Sequence, residues 1–165
     1  MLFVVCIIAL NFKTPVTKKG KYPLWLIPVL IMIGIIVASY LAFVEMIQTE
    51  AVCGPVGDCN TVQQSKYATL FGFLPVGILG VIGYLLMALV WGMKNYGHEK
   101  WKGAATISLW AMAAFGTLFS IYLTFLEPFV IGATCMWCIT SALVQTAILW
   151  LATNPAKRYL LIPSA

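Results

Sequence analysis

"TCMWCITSALVQTAILWLAT", residues 134–153, runs for twenty residues without a charge and opens on two cysteines three positions apart. Roughly 20 apolar residues are what a helix needs to cross a hydrocarbon core about 30 Å thick. The stretch therefore predicts a membrane helix with a pair of thiols at its start. It sits inside a longer uncharged run, 128–155, and three more such runs precede it: 24–44, 70–93 and 103–126. The 165-residue chain is 62% hydrophobic and 9% charged, with mean hydropathy +0.96, a surface that no soluble domain of this length presents to water. The fold expected is an all-α membrane protein. Four transmembrane helices, spanning about 24–44, 70–93, 104–126 and 135–153, form one bundle over 24–153, between an N-terminal segment, 1–23, and a tail, 154–165.

The basic residues orient the bundle, because Lys and Arg are retained on the cytoplasmic side. Lys13, Lys18, Lys19 and Lys21 precede the first span, Lys94, Lys100 and Lys102 follow the second, and Lys157 and Arg158 follow the fourth. All nine fall on one side, leaving Lys66 on the other, so both termini are expected in the cytoplasm. Glu45, Glu50, Asp58 and Glu127 lie on the outer side and Glu99 on the inner. The net charge of +5 is then a topology signal and not a nucleic-acid surface. Met1–Leu10 is an apolar decapeptide too short to span and without a basic start, and Cys6 within it reads as an apolar filler.

The longest polar stretch is the outer loop Glu45–Thr69, where Cys53 and Cys59 flank the turn dipeptides Gly54-Pro55 and Gly57-Asp58. Asn60, with Gln63 three residues on, has the spacing of a capping box and predicts a short interfacial helix. Val62, Ser65 and Thr69 would face the membrane, and Gln64 and Lys66 the water. Gly77, Gly80 and Gly83 would let a neighbouring helix approach, or leave clearance for a flat ring. Phe115, Phe119 and Tyr122 recur at helical spacing, as core or as an aromatic ligand wall.

Given that topology, Cys53, Cys59, Cys135 and Cys138 share the outer side, where thiols can be oxidised. With Thr134 as cap, Cys135 takes the first helical position, where free backbone N–H groups and the helix dipole favour a thiolate. Cys138 lies one turn deeper on nearly the same face. Two structural disulfides in a non-catalytic membrane scaffold are one reading of these four residues. A structural zinc is another, but it needs no cysteine inside the membrane, and no metal is expected. The third reading is a relay of two electrons through two dithiols. Its acceptor cannot be a haem, since His98 is solitary, nor a nucleotide, since no glycine fingerprint is present; a lipid-soluble quinone remains.

At these residues the chain resembles the vitamin K epoxide reductase family, in the form of its small prokaryotic homologues. The matching features are Cys53 and Cys59, Cys59-x-x-Val62-x-x-Ser65 with Phe71-Gly72 following, and Cys135-x-x-Cys138-Ile139-Thr140, over about residues 24–153. The resemblance implies a four-helix bundle around a quinone, with Cys135 and Cys138 as the active-site couple, Cys53 and Cys59 as the shuttle and Ser65 orienting the loop near the quinone. Phe115, Phe119 and Tyr122 are the candidate ring contacts. Ala142 stands where animal members carry Tyr, and 74–80 lacks their Asn. These departures imply an ordinary quinone of the menaquinone or ubiquinone type ahead of vitamin K. Many bacterial relatives carry a fused thioredoxin-like domain, so a separate thioredoxin-fold oxidoreductase is the partner expected. A second family of quinone-linked disulfide oxidases places its Cys-x-x-Cys before the loop pair, the reverse of the order here. The function expected is a thiol:quinone oxidoreductase of a prokaryotic cytoplasmic membrane that supports disulfide formation in exported proteins.

Overall fold

The computed structural model describes residues 25–53, 58–65, 68–70 and 74–161. The readings of 1–23, of the turn residues 54–57, of Lys66 and of Phe71-Gly72 fall outside these. Among the described residues, four helices are long and apolar enough to cross a membrane. We number them with the short loop helix in chain order: α1 (Leu26–Ile47), α2 (Cys59–Gln63), α3 (Val76–Tyr96), α4 (Glu99–Leu126) and α5 (Met136–Leu161). The chain is an all-α, multi-pass membrane protein. A two-residue antiparallel ribbon, Thr69–Leu70 with Leu74–Pro75, leads into α3 and leaves that class unchanged.

The helices outrun the uncharged runs at several ends, because continuing a backbone ladder satisfies N–H and C=O groups that would otherwise need water. Glu99 and Lys102, one turn apart, pair at the start of α4. At its far end α5 continues through Pro155 and takes in Lys157 and Arg158, residues read from sequence as tail. In the other direction, α3 starts at Val76, later than the uncharged run from Leu70, because Pro75 in extended conformation precedes it and 69–70 pairs with 74–75. Gln48, in the left-handed region at φ 56°, ends α1 and returns its side-chain amide to the Glu45 carbonyl at 2.9 Å.

α1 packs on α3 and α5, and α4 on α5 and α3. Small residues set the separations. A Cβ at Gly34 would strike the Tyr84 ring, one at Gly77 the Ala42 backbone, and one at Gly116 the Gln145 amide. Of the three α3 glycines read as packing or clearance, Gly77 and Gly80 lie against α1, while Gly83 meets nothing within 4 Å. Ile31, Tyr84, Leu109 and Ile148 centre the main core, and Ile36, Leu89, Leu118 and Leu143 cover the outside with apolar surface suited to lipid. A second cluster at the other end joins Val37, Leu41 and Val44 of α1 to Cys59, Val62 and Cys135. That end carries the chemistry.

Candidate functional site

The loop helix α2 docks onto this end. Asp58, not Asn60, caps it: its carboxylate accepts the Thr61 N–H at 3.1 Å and the Thr61 hydroxyl at 2.6 Å. Those two bonds hold the Asp58 carboxyl below its usual range. Asn60 lies inside the helix, and its side-chain oxygen instead accepts the Ala51 N–H at 2.6 Å, tying α2 to the segment that leaves α1. The expected orientation is corrected as well. Val62 is buried against α1 instead of facing lipid, while Gln64 is exposed as expected.

Cys53 and Cys59 form a disulfide with Cα atoms 6.0 Å apart. Cys59 is 0% exposed and shares one buried cluster with Cys135, whereas Cys53 is only partly buried. The preceding residue is clamped from both sides. The Val52 N–H donates to the Tyr40 hydroxyl at 2.8 Å, and the Val52 carbonyl accepts the Trp137 indole N–H at 3.0 Å. The Tyr40 and Trp137 rings lie 4.7 Å apart. Thus the tryptophan between the two α5 cysteines positions the loop pair above them.

Cys135 and Cys138 are free thiols. The structure moves Cys135 one position from its expected place: α5 begins at Met136, and the Cys135 carbonyl accepts the first helical bond, from Ile139 N–H at 3.1 Å. Cys135 therefore takes the cap position expected of Thr134, where the Cys138 backbone N–H favours its thiolate. The Cys138 thiol beside it is the largest influence on Cys135. Together with that N–H and the Gln63 amide it outweighs burial and lowers the Cys135 thiol to about 7. The Gln63 Nε2 is 3.8 Å from both sulfurs.

Two further side chains complete the site, and neither stood out in the sequence. Between α4 and α5 the chain makes one π-helical turn, Glu127–Ile131, and reverses at Gly132 with φ 77°. The Glu127 carbonyl accepts Gly132 and Ala133 N–H groups, and its carboxylate accepts the Cys135 N–H at 3.0 Å with the Cys138 thiol in reach. Glu45, in the last turn of α1, accepts the Gly77 N–H at 2.8 Å. The sequence reading counted both only as outer acids. A buried acid beside a thiol pair is visible only once the chain folds back. Gln63 was noted for its capping spacing, yet its partners lie 72 and 75 residues on.

Two cavities meet at Cys138. A small one of about 40 Å³ has a mostly apolar wall with Glu45, Gln63, Ser65, Glu127 and Cys138 as its polar points. The other, about 720 Å³ and mostly apolar, lies between α1, α3, α4 and α5, with Cys138, Glu45, Gln63, Ser141 and Gln145 as polar points on its wall. Its size and few convergent polar groups suit a flat, mainly apolar ring with oxygen substituents. Phe115, itself largely exposed, Phe119 and Gly83 line it; Tyr122 does not, and its ring lies 6.4 Å from that of Phe119. Ser65 borders the small cavity, where its hydroxyl donates to the Val62 carbonyl at 2.7 Å.

The thiol-disulfide oxidoreductase LTO1 of Arabidopsis thaliana is 26% identical to the chain over 127 residues, which cover 72% of this chain and 33% of that protein. The chain thus spans about a third of the length of this relative. No solved structure gives a significant match. The model of the vitamin K epoxide reductase family matches residues 25–153, a stretch that contains all four cysteines of the site and both buried carboxylates, and the chain belongs to that family.

Proposed function

We propose that the protein is a membrane thiol:quinone oxidoreductase. It passes electrons from a thioredoxin-fold protein through Cys53 and Cys59 to Cys135 and Cys138, and from there to a quinone of the menaquinone or ubiquinone type, or to vitamin K. The observation that carries this reading is the place of Cys138, on the wall of a large apolar cavity and next to a cysteine with a lowered pKa. The relative named for thiol-disulfide chemistry supports it.

The partner's dithiol reduces the Cys53–Cys59 disulfide and becomes a disulfide itself. Cys53 is the docking sulfur in this scheme, since Cys59 is fully buried. The Cys59 thiolate then attacks oxidised Cys135, Cys138 leaves as a thiolate, and Cys53 closes on Cys59 to free Cys135. A loop disulfide above two free thiols corresponds to the state after this transfer. A bound quinone takes up two electrons and two protons as the Cys135–Cys138 bond forms. Phe115 and Phe119 flank the ring, Cys138 faces it, and Ser65 orients the loop beside it. With both termini in the cytoplasm, the cysteines face outward and the net result is disulfide formation in exported proteins.

Four serine variants test the scheme. Cys53→Ser and Cys59→Ser should lose quinone reduction with a thioredoxin-fold reductant and retain it with a small dithiol, which is small enough to enter beneath the loop to buried Cys135 as the loop opens. Cys135→Ser and Cys138→Ser should lose both. A Cys138→Ser protein that still turns over would refute the mechanism.

A further inference from the structure

Oxidising a dithiol with a quinone moves two protons as well as two electrons, and the cysteines end up in a protein interior where water is scarce. The small cavity beside Cys138, mostly apolar but with two carboxyls and an amide on its wall, addresses that need. At about 40 Å³ it has room for about two waters, each needing at least two polar partners. Its wall supplies them: Glu127, 2% exposed, Glu45, 8% exposed, and Gln63, 6% exposed. Among the described residues, Gln63 Oε1 is the buried side-chain atom without a hydrogen-bond partner. With Nε2 held by the two sulfurs, this oxygen is left as an acceptor for a donor in the cavity.

Connectivity gives the three acid groups an order. Cys138 and Glu127 line the small cavity together, Glu127 is absent from the wall of the large one, and Glu45 borders both. We propose that Glu127, the small cavity and Glu45 form the proton path of the reaction, leading from the Cys138 sulfur to an oxygen of the acceptor in the large cavity. This rests on the quinone reading above and extends it to the protons.

The Cys135 thiolate and the Cys138 thiol form one S–S bond, giving two electrons to the quinone and one proton to Glu127. That proton passes through the cavity and Glu45 to one quinone oxygen, and a proton from solvent goes to the other. Quinol and disulfide result, with both carboxyls restored. The titratable groups that face Glu127 are Cys135 just before α5, Cys138 in its first turn and, across the cavity, Glu45 of α1. Gln63 and Ser65, from α2 and its end, do not titrate; Asp58, on the same loop, lies exposed outside the cavity.

Glu127→Gln and Glu45→Gln provide the test, since each amide keeps an oxygen to accept the Cys135 or Gly77 N–H. Wild type and both variants are reduced and mixed with quinone across a range of pH. Each variant should be slower by about a hundredfold, the usual weight of a positioned acid or base, and should recover as pH rises and hydroxide takes the proton instead. Infrared difference spectra between the dithiol and disulfide states of the quinone-free protein give an independent readout. A carboxyl band that shifts in heavy water should be present in wild type and lost in Glu127→Gln. Rates and pH profiles equal to wild type in both variants would overturn the proposal. So would a slow Glu127→Ala beside a fast Glu127→Gln, which would make the residue only a clamp on Cys135. If wild-type dithiol is not oxidised by quinone at all, the quinone reading fails instead, and the infrared band still decides whether Glu127 shares the Cys138 proton.

Discussion

Replacing Trp137 by Phe should loosen the loop disulfide without altering either thiol of α5. The segment Ala51–Cys53 is held by three bonds to side chains, from Asn60 to Ala51 N–H at 2.6 Å, from Tyr40 to Val52 N–H at 2.8 Å, and from Trp137 to the Val52 carbonyl at 3.0 Å. Phe keeps a ring against Tyr40 and removes only the indole donor. One net hydrogen bond is worth about 1 kcal/mol, so the opening equilibrium of the segment should rise about fivefold. Adding Tyr40→Phe removes a second bond, and the pair should reach about 2 kcal/mol, or roughly thirtyfold, less any coupling between the touching rings. Amide hydrogen exchange of peptides covering 49–59, followed by mass spectrometry on the quinone-free protein, reads this opening directly. Unchanged exchange in both variants would refute the clamp. An equal rise throughout α1 and α5 would mean that the substitutions weaken the whole bundle and that the local reasoning is wrong.

Other consequences follow from the same contacts. The Cys135 thiol, lowered to about 7, should alkylate with a rate that climbs through that pH, and Cys138→Ala should move the midpoint upward by removing its strongest donor to the thiolate; an unmoved midpoint would contradict the assigned cause. Gly34→Ala should destabilise the bundle by about 1–3 kcal/mol, since its Cβ falls in the Tyr84 ring, while Gly83→Ala should leave thermal unfolding near wild type; equal effects would contradict the packing described. In intact cells, an impermeant maleimide should label reduced Cys53 from outside, and labelling only after permeabilisation would reverse the orientation.

The membrane helices were legible because bilayer thickness fixes a length and a composition, and runs such as 134–153 meet both. Their ends were not. Lys157 and Arg158 mark the cytoplasmic side by charge, yet α5 carries them in its last turns beyond Pro155. The thiol chemistry was legible from spacing, since Cys-x-x-Cys at a helix start restricts what two sulfurs can do. Capping was read two residues late at α2 and one residue early at α5. Asn60 and Gln63 form a plausible box, but Asp58 precedes the true start, and Cys135 takes the role given to Thr134. Glu45, Gln63 and Glu127 escaped because each is ordinary in its local stretch and acquires its partners only when α1, α2 and the turn before α5 converge. Phe115, Phe119 and Tyr122 share a helical spacing, but a cavity wall is narrower than a helix face, and it takes in only the first two.

The central claim is that Cys135 and Cys138 deliver electrons to a quinone. It is tested most directly by one anaerobic turnover. Purified protein with all disulfides reduced and then freed of reductant is mixed with excess quinone, and quinol formed is counted against thiols lost at each cysteine by mass spectrometry. The account predicts one quinol for each disulfide formed: two per wild-type protein, since the loop dithiol empties through Cys135–Cys138, and one per Cys53→Ser, Cys59→Ser protein, with its disulfide at Cys135–Cys138. Thiols at 135 and 138 that stay reduced while quinone is present in excess would contradict it.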